Sequence, residues 1–323
     1  MNIGSKKTEK EIANEKSKKI MDTVAWRCAY YRANPQRFVK DYLDINLKLF
    51  QKILIWAMMY NNYVMYCASR GQGKTWLTAL FCVVRCILFP ESKIVISAPT
   101  KDQGNEVLLK IQDDFMKKSK NLFSEISFCN IGQNDGKITF KNGSWIRVVA
   151  SRDTARSKRA NIIIVDEFVK VDLGIINTVL RRFLTAPRHP KFYDKPEYKD
   201  YPPERNREIY MSSAFMKSHW GYDKLKSYSA QLVQDTKKYF VCGLPYEISI
   251  KEGLLDKNQV ADEMSESDFN ELTWSIKGNV LVKPTEHIKW CVFGILNLCA
   301  SKCTLNKHAN RENLNIHMYT RQS

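Results

Sequence analysis

The segment from Tyr66 to Thr75 constrains this chain more than any other, because it places two glycines between a strand pattern and a helix pattern. An apolar run, Tyr63 to Cys67, leads into it, and a helix-like run, Trp76 to Leu88, follows it. In this context the glycines allow backbone N–H groups to close around phosphate oxygens. The start of the following helix adds its positive dipole and further N–H donors. The segment therefore predicts a phosphate-binding loop.

The end of this loop carries the residue types that phosphate chemistry needs. Lys74 is placed to reach the β- and γ-phosphates of a nucleotide, and the hydroxyl of Thr75 is placed to hold Mg2+. The general pattern for such loops is G-x-x-x-x-G-K-[ST]. The chain departs from this pattern at the first position, where Ala68 stands in place of glycine.

A second motif follows in the order that a nucleotide-hydrolysing fold requires. The apolar run from Ile162 to Val165 ends in two carboxylates, Asp166 and Glu167. A run of this kind is typical of a strand buried on both faces of a parallel sheet. Its carboxyl end then lies at the edge of the sheet where ligands bind. We expect Asp166 to support Mg2+ and Glu167 to orient and deprotonate the attacking water.

Bulk properties restrict the class of protein. The chain has 323 residues and a formal net charge of +17, a balance that favours a polyanionic partner such as nucleic acid. No apolar run is long enough to span a membrane, and the lysine-rich N-terminus lacks the pattern of a secretory signal. The nine cysteines are scattered, which favours buried thiols in a reducing cytosol over a disulfide framework.

The rest of the chain alternates between strand and helix patterns. Strands are predicted at 93–98 and 207–211, and an amphipathic helix at 101–118. The turn Lys141-Asn142-Gly143 predicts a hairpin. The proline-rich stretch 185–206 predicts a long surface loop. This alternation predicts an α/β protein, a P-loop NTPase with a central, mostly parallel β-sheet flanked by helices.

Three further positions are candidates for the site. Gln51, ahead of a helix predicted at 53–60, has the paired donor and acceptor that can read an adenine edge. Ser212 and Ser213, followed by Ala214, end a predicted strand, where small hydroxyl residues suit sensing of a γ-phosphate or its water.

The basic loop 151–160 leads directly into the acidic strand and offers several arginines. An arginine here suits stabilisation of phosphoryl charge or contact with a DNA phosphate. A solvated loop is an equally good interpretation for any single arginine.

Taken in this order, the motifs resemble the large terminase subunit of tailed bacteriophages, the ATPase that packages DNA into a procapsid. In that family an arginine inside the phosphate loop is typical and the first glycine is often replaced, which fits Arg70 and Ala68. The resemblance covers roughly residues 40 to 285. The matching parts are Gln51, the loop Ser69-Arg70-Gly71-Gln72-Gly73-Lys74-Thr75, the acidic strand Ile163 to Glu167, and the coupling motif Ser212-Ser213-Ala214.

The resemblance implies roles for individual residues. Gln51 and the loop residues Ser69 to Thr75 would bind ATP, with Mg2+ held through Thr75 and Asp166. Glu167 would be the catalytic carboxylate, and Arg70 a switch or phosphate sensor. Arg156 or Arg159 would be donated to a neighbouring subunit of a homo-oligomeric ring. The coupling motif would connect hydrolysis to movement of the chain after residue 243.

The resemblance also implies a domain plan and partners. We expect an N-terminal polar, helical extension at 1–40, an ATPase core at 41–243, a lid or linker subdomain at 244–285 and an atypical tail at 286–323. Double-stranded DNA, a terminase small subunit and a portal protein would be the partners, in the cytoplasm of the host. The family's nuclease domain is not expected here, because the only carboxylates after Pro284 are Glu286 and Glu312.

Two other classes remain open. Another DNA-translocating NTPase, such as a helicase, would need a second motor domain, and strand unwinding would favour it. An inactive, truncated terminase piece that still binds DNA or partners is the other alternative. The presence of Lys74, Asp166 and Glu167 favours an active ATPase over this second alternative.

Overall fold

An eight-stranded sheet forms the centre of the fold. It is seen in a computed structural model that describes residues 9–68, 71–132, 136–151, 159–185, 187–198, 200, 202–213, 218–244, 246–259, 269–270 and 275–276. The strands are β1 (Tyr63–Ala68), β2 (Lys93–Ala98), β3 (Ile126–Ile131), β4 (Gly136–Phe140), β5 (Trp145–Ala150), β6 (Ile162–Asp166), β7 (Arg207–Ser212) and β8 (Tyr239–Leu244). A separate pair, β9 (Phe269–Asn270) and β10 (Ser275–Ile276), is antiparallel. The tail predicted at 286–323 lies outside the described residues.

The strand order is β3-β4-β5-β2-β6-β7-β1-β8. The pairs β5–β2, β2–β6, β6–β7, β7–β1 and β1–β8 run parallel, whereas β3–β4 and β4–β5 are antiparallel. This arrangement confirms the predicted mostly parallel α/β sheet and the hairpin around Asn142. Strand β3 was not predicted, because it lies at the sheet edge with Phe128 exposed and lacks a buried apolar face.

The helices that flank the sheet follow the predicted alternation. They are α1 (Glu9–Ala33), α2 (Pro35–Leu43), α3 (Leu49–Tyr60), α4 (Lys74–Leu88), α5 (Lys101–Lys110), α6 (Lys120–Glu125), α7 (Leu173–Ile175), α8 (Trp220–Gln234) and α9 (Tyr246–Lys251). A π-helical turn, Ile111–Met116, continues α5 through the rest of the predicted helix. Among the described residues, no helix combines the length and apolarity needed to cross a bilayer.

Apolar side chains cover both faces of the sheet. In β6, Ile162 and Ile164 point into one core layer, while Ile163 and Val165 point into the other. The first layer includes side chains of α3, α4 and α5, and the second includes side chains of α8. Burial on both faces explains why β6 is an unbroken apolar run, because neither face of the strand meets water.

The proline-rich stretch predicted as a surface loop is anchored at its end by a buried ionic cluster. The Glu204 carboxylate accepts hydrogen bonds from Arg188 Nε at 2.7 Å and Arg207 Nη2 at 2.9 Å. Arg85 donates to the same carboxylate. Its guanidinium carbon lies 3.9 Å from the ring centre of Phe89. The predicted long surface loop therefore departs from the surface at Arg188, which is buried and forms a β-bridge with Glu204.

Arg85 and Glu204 both stay charged at neutral pH inside this cluster. Burial lowers the pKa of Arg85 to about 9, so its guanidinium stays charged at neutral pH. Burial alone would raise the pKa of Glu204, but the three guanidiniums outweigh this effect and hold the pKa well below its ordinary range. The carboxylate therefore stabilises the fold above the ordinary pKa of a glutamate, about 4.3, and that stabilisation is lost as the pH falls further.

We predict that Glu204→Ala lowers the free energy of unfolding by about 3–5 kcal/mol, because it leaves the buried Arg85 without its carboxylate. Urea unfolding at neutral pH would measure the loss. The exposed Glu197, replaced by alanine, is the matched control and should change stability by less than about 0.5 kcal/mol. Equal stability of the two variants would contradict an anchoring role for Glu204.

Candidate active site

The carboxyl ends of three adjacent strands bring the predicted motifs together. Strands β6, β7 and β1 are neighbours, and each is parallel to the next. Asp166 is level with Met211 on β7, and Ser212 is level with Cys67 on β1. The acidic pair, the serine pair and the phosphate loop therefore leave the sheet at the same edge, where open α/β sheets bind ligands.

The phosphate loop uses its glycines for backbone geometry. Gly71 and Gly73 have φ values of +78° and +69°, in the left-handed region that L side chains rarely adopt. Gly73 is the N-cap of α4, so Lys74 and Thr75 stand in the first turn of the helix. Their backbone N–H groups belong to the free donors of a helix start, which suit an anion. Ser69 and Arg70 lie outside the described residues.

Gln72 supports the loop from behind. Its side chain is buried, accepts a hydrogen bond from the Tyr66 hydroxyl at 3.2 Å and donates to the Leu244 carbonyl at 3.0 Å. The loop is thereby fixed to both β1 and β8. The sequence placed Gln72 among the nucleotide-binding residues but gave no sign of this bridge, because Leu244 is far away along the chain.

Lys74 lies between the loop and the end of β7. Its Nζ is 3.4 Å from the carbonyl oxygen of Ala68 and 3.3 Å from the Ser213 hydroxyl. The ammonium group is therefore held over the mouth of the loop. Thr75, in the same helical turn, is half-buried.

The acidic pair occupies the other side of Ser212 and Ser213. Asp166 is 6% exposed, and its Oδ1 accepts the backbone N–H of Glu167 at 3.1 Å. Glu167 has φ 47° and ψ 48°, a left-handed conformation that is strained for a residue with a side chain. The Ser212 hydroxyl donates to Glu167 Oε2 at 3.3 Å. The serine pair thus contacts the lysine on one side and the glutamate on the other.

Electrostatics at the end of β6 disfavour the charged form of Asp166. Burial, followed by the neighbouring charge of Glu167, raises its pKa from 3.8 to about 6. The charge of Lys74 and the hydrogen bond from the backbone of Glu167 act in the opposite direction and offset part of the shift. A cation placed beside this carboxylate would relieve the remaining cost.

The structure describes only some of the other predicted site residues. Gln51 is buried in the first turn of α3, which begins before the predicted start of that helix, and its Oε1 accepts the backbone N–H of Lys48 at 3.0 Å. The carbonyl that was expected to read adenine thus caps the helix. Arg159 is exposed just before β6. Arg156 and Ala214 lie outside the described residues.

Metal-ligating side chains in the described part of the chain do not form a ready-made cluster. No group of three or more His, Cys, Asp or Glu side chains among them is arranged to hold a metal ion. Mg2+ needs fewer protein ligands, because it keeps several waters and binds one or two carboxylates together with substrate phosphates. Asp166 and the Thr75 hydroxyl are oxygen donors of this type.

Fold and motifs together define a P-loop NTPase. Comparison with protein families gives a match of residues 65–193 to the family described as terminase large subunit, T4likevirus-type, N-terminal. The matched segment contains both the phosphate loop and the acidic strand. This part of the chain is therefore similar to the N-terminal domain of terminase large subunits.

Solved structures of related architecture are also found, although no curated protein matches the chain. The large terminase ATPase domain of Thermus phage P74-26 is 14% identical, with 62% of this chain and 95% of that chain covered and a TM-score of 0.39. The HK97 bacteriophage large terminase is 17% identical, with 61% and 41% covered and a TM-score of 0.44. For the large terminase of a thermophilic bacteriophage in complex with ATP-gamma-S, the values are 10% identity, 72% and 52% coverage, and a TM-score of 0.48.

We predict that Asp166→Asn stabilises the fold at neutral pH without divalent cations. Because the pKa of Asp166 is raised from 3.8 to about 6, the folded state binds this proton more tightly than the unfolded state does. The wild-type chain therefore loses stability as the pH rises from about 4 to about 6, and the variant lacks this loss. The expected gain is about 1–3 kcal/mol at neutral pH and close to zero below about pH 4.

Urea unfolding across this pH range measures the difference between the two proteins. Asp102→Asn, at an exposed carboxylate in the first turn of α5, is the control and should not show this gain in stability. A variant that is less stable than wild type at neutral pH would contradict the electrostatic account of Asp166.

Proposed function

We propose that this protein is the ATP-hydrolysing motor part of a phage large terminase, which moves double-stranded DNA into a procapsid. The observation that carries the proposal is the serine bridge. Ser213 lies 3.3 Å from the Lys74 ammonium, and Ser212 lies 3.3 Å from the Glu167 carboxylate. A phosphate-binding group and a candidate base, both inside the segment matched to the family, thus contact the end of one strand, β7.

ATP is the proposed substrate, and each side chain has a distinct task. The loop glycines and Lys74 bind the phosphates, and Lys74 neutralises charge on the transferred group. Thr75 and Asp166 hold Mg2+, which supplies charge stabilisation for phosphoryl transfer when bound. Glu167 orients the attacking water and accepts its proton. Its strained backbone and its contact with Ser212 fix the carboxylate in one direction.

The serine pair is the proposed coupling element. A change in charge at the phosphates acts on Lys74, and a change in protonation acts on Glu167. Both side chains contact the end of β7 through Ser213 and Ser212. Movement of this strand end, continued into Ala214, would transmit hydrolysis to the chain after residue 243, which we assign to a lid or linker subdomain at 244–285.

Arginines complete the proposed machinery. Arg70, inside the phosphate loop, is assigned to sensing of the phosphates. Arg156 or Arg159 is assigned to a neighbouring subunit of a ring, and the exposure of Arg159 makes it accessible to such a neighbour. Gln51 is assigned to the base, with its carbonyl engaged in capping α3. The ATPase core would span 41–243, with a helical extension at 1–40 and a tail at 286–323.

The net charge of +17 supports DNA as the polyanion that the motor moves. Binding of duplex DNA would be sensitive to salt and largely independent of sequence, because phosphate contacts release counterions but read no bases. A terminase small subunit and a portal protein are the proposed protein partners, and the host cytoplasm is the proposed place of assembly.

We predict that Glu167→Gln keeps nucleotide binding and lowers the ATP turnover rate by about 10²-fold or more, because the amide cannot accept the proton of the attacking water. Steady-state hydrolysis assays and equilibrium binding of ATP would measure the two properties separately. The matched control is Glu106→Gln, at an exposed carboxylate whose charge also acts on Asp166. This variant should retain most of the turnover. Near-normal turnover by Glu167→Gln would remove this residue from the mechanism.

A further inference from the structure

The segment after β8 returns to the phosphate loop. Leu255, four residues beyond the end of α9, packs directly against Gly71. A methyl group added at Gly71 would lie 2.4 Å from Leu255 Cδ2, so Leu255 would have to move to make room for it. Leu255 is therefore in contact with the backbone of the loop itself. It lies outside the segment matched to the terminase family.

The same turn also contacts the start of α3. Lys48 Nζ donates to the backbone carbonyl of Glu252 and lies 3.3 Å from its Oε2. The backbone N–H of Lys48 in turn donates to Gln51. The turn 252–255 thus lies between the phosphate loop and the helix that carries Gln51. It contacts the first at Gly71 and the second at Lys48.

The backbone of this turn is fixed by local hydrogen bonds and by packing. Leu254 N–H donates to the Ser249 carbonyl at 2.7 Å, and the Leu254 side chain packs against the main core. Leu255 itself remains half-exposed. The Leu255 side chain therefore presents apolar surface beside the loop. The backbone that carries it is fixed by contacts within the protein and not by a ligand.

Strand order gives a direction to a nucleotide bound at this edge. The sequence of neighbours is β6-β7-β1-β8, with Glu167 at the end of β6 and the phosphate loop after β1. Because Glu167 acts at the terminal phosphate, that phosphate points toward β6. The other end of the nucleotide must then point away from β6, toward β8 and the turn that follows it.

Resting on the proposed nucleotide function, we propose that Leu255 forms an apolar wall for the base of the bound nucleotide, and that Glu252 is a polar acceptor for its base or ribose. The Lys48 ammonium holds the Glu252 carboxylate in place, and both side chains are about one-third exposed, at 33% and 32%. An aliphatic wall beside a charged acceptor is a surface suited to a purine nucleoside. The base side of the site is thus built from three separate parts of the chain: α3, the loop and the turn after α9.

The test compares a ligand that has a base with one that lacks it. Calorimetric titrations of the full chain would use a non-hydrolysable Mg-ATP analogue and Mg-tripolyphosphate. Leu255→Ala is expected to weaken binding of the ATP analogue about tenfold, since it removes apolar contact with the base, and to leave tripolyphosphate binding unchanged. Leu255→Met, which keeps the apolar volume, is expected to bind both ligands as wild type does.

Leu49→Ala is the matched control, because Leu49 is a leucine beside Lys48 that is 57% exposed and points away from the core. It should change neither affinity. Equal weakening of both ligands by Leu255→Ala would show that Leu255 only shapes the phosphate loop, and unchanged binding of both would remove it from the site. Either result overturns the inference while the nucleotide function stands. Failure of the wild-type chain to bind either ligand would instead overturn the proposed function and this inference with it.

Discussion

Parallel pairing of β6, β7 and β1 is the constraint on which the rest of the site depends. Hydrogen bonding in register sets Asp166 level with Met211, and Ser212 level with Cys67. Without that register, the lysine of the phosphate loop and the carboxylate of Glu167 would not meet the same pair of serines. The strands can hold this register because both faces of the sheet are covered by apolar side chains, so a slip of one residue would disrupt both core layers.

This rigid frame carries groups that are unfavourable by themselves. Asp166 is a buried carboxylate beside a second one, and Glu167 has a left-handed backbone. Such features persist only where the surrounding structure over-determines them. Lys74 supplies the nearby positive charge. Its ammonium group contacts both the loop and Ser213 at the end of β7. Buried charge and backbone strain of this kind are typical of a site organised for a charged ligand.

Local patterns in the sequence predicted most of the fold, and nonlocal contacts account for what was missed. The apolar runs, the hairpin turn and the glycine-rich loop are each specified within a few residues, so the sheet class and the motif positions followed from them. Glu204, by contrast, is defined by Arg85, which lies more than a hundred residues earlier. The Gln72–Leu244 bridge and the packing of Leu255 on Gly71 are equally remote in sequence and carry no periodic signal.

Hydrolysis of ATP in the presence and absence of linear duplex DNA tests whether this site powers a DNA-translocating motor. We expect the wild-type chain to hydrolyse ATP faster when DNA is added. We expect Lys74→Ala to lose turnover, because it removes the ammonium group held over the phosphate loop. Lys170→Ala, at an exposed lysine just after the acidic pair, should behave as wild type. Turnover that persists in Lys74→Ala, or that does not respond to DNA in the wild type, would contradict a DNA-translocating ATPase built on this loop.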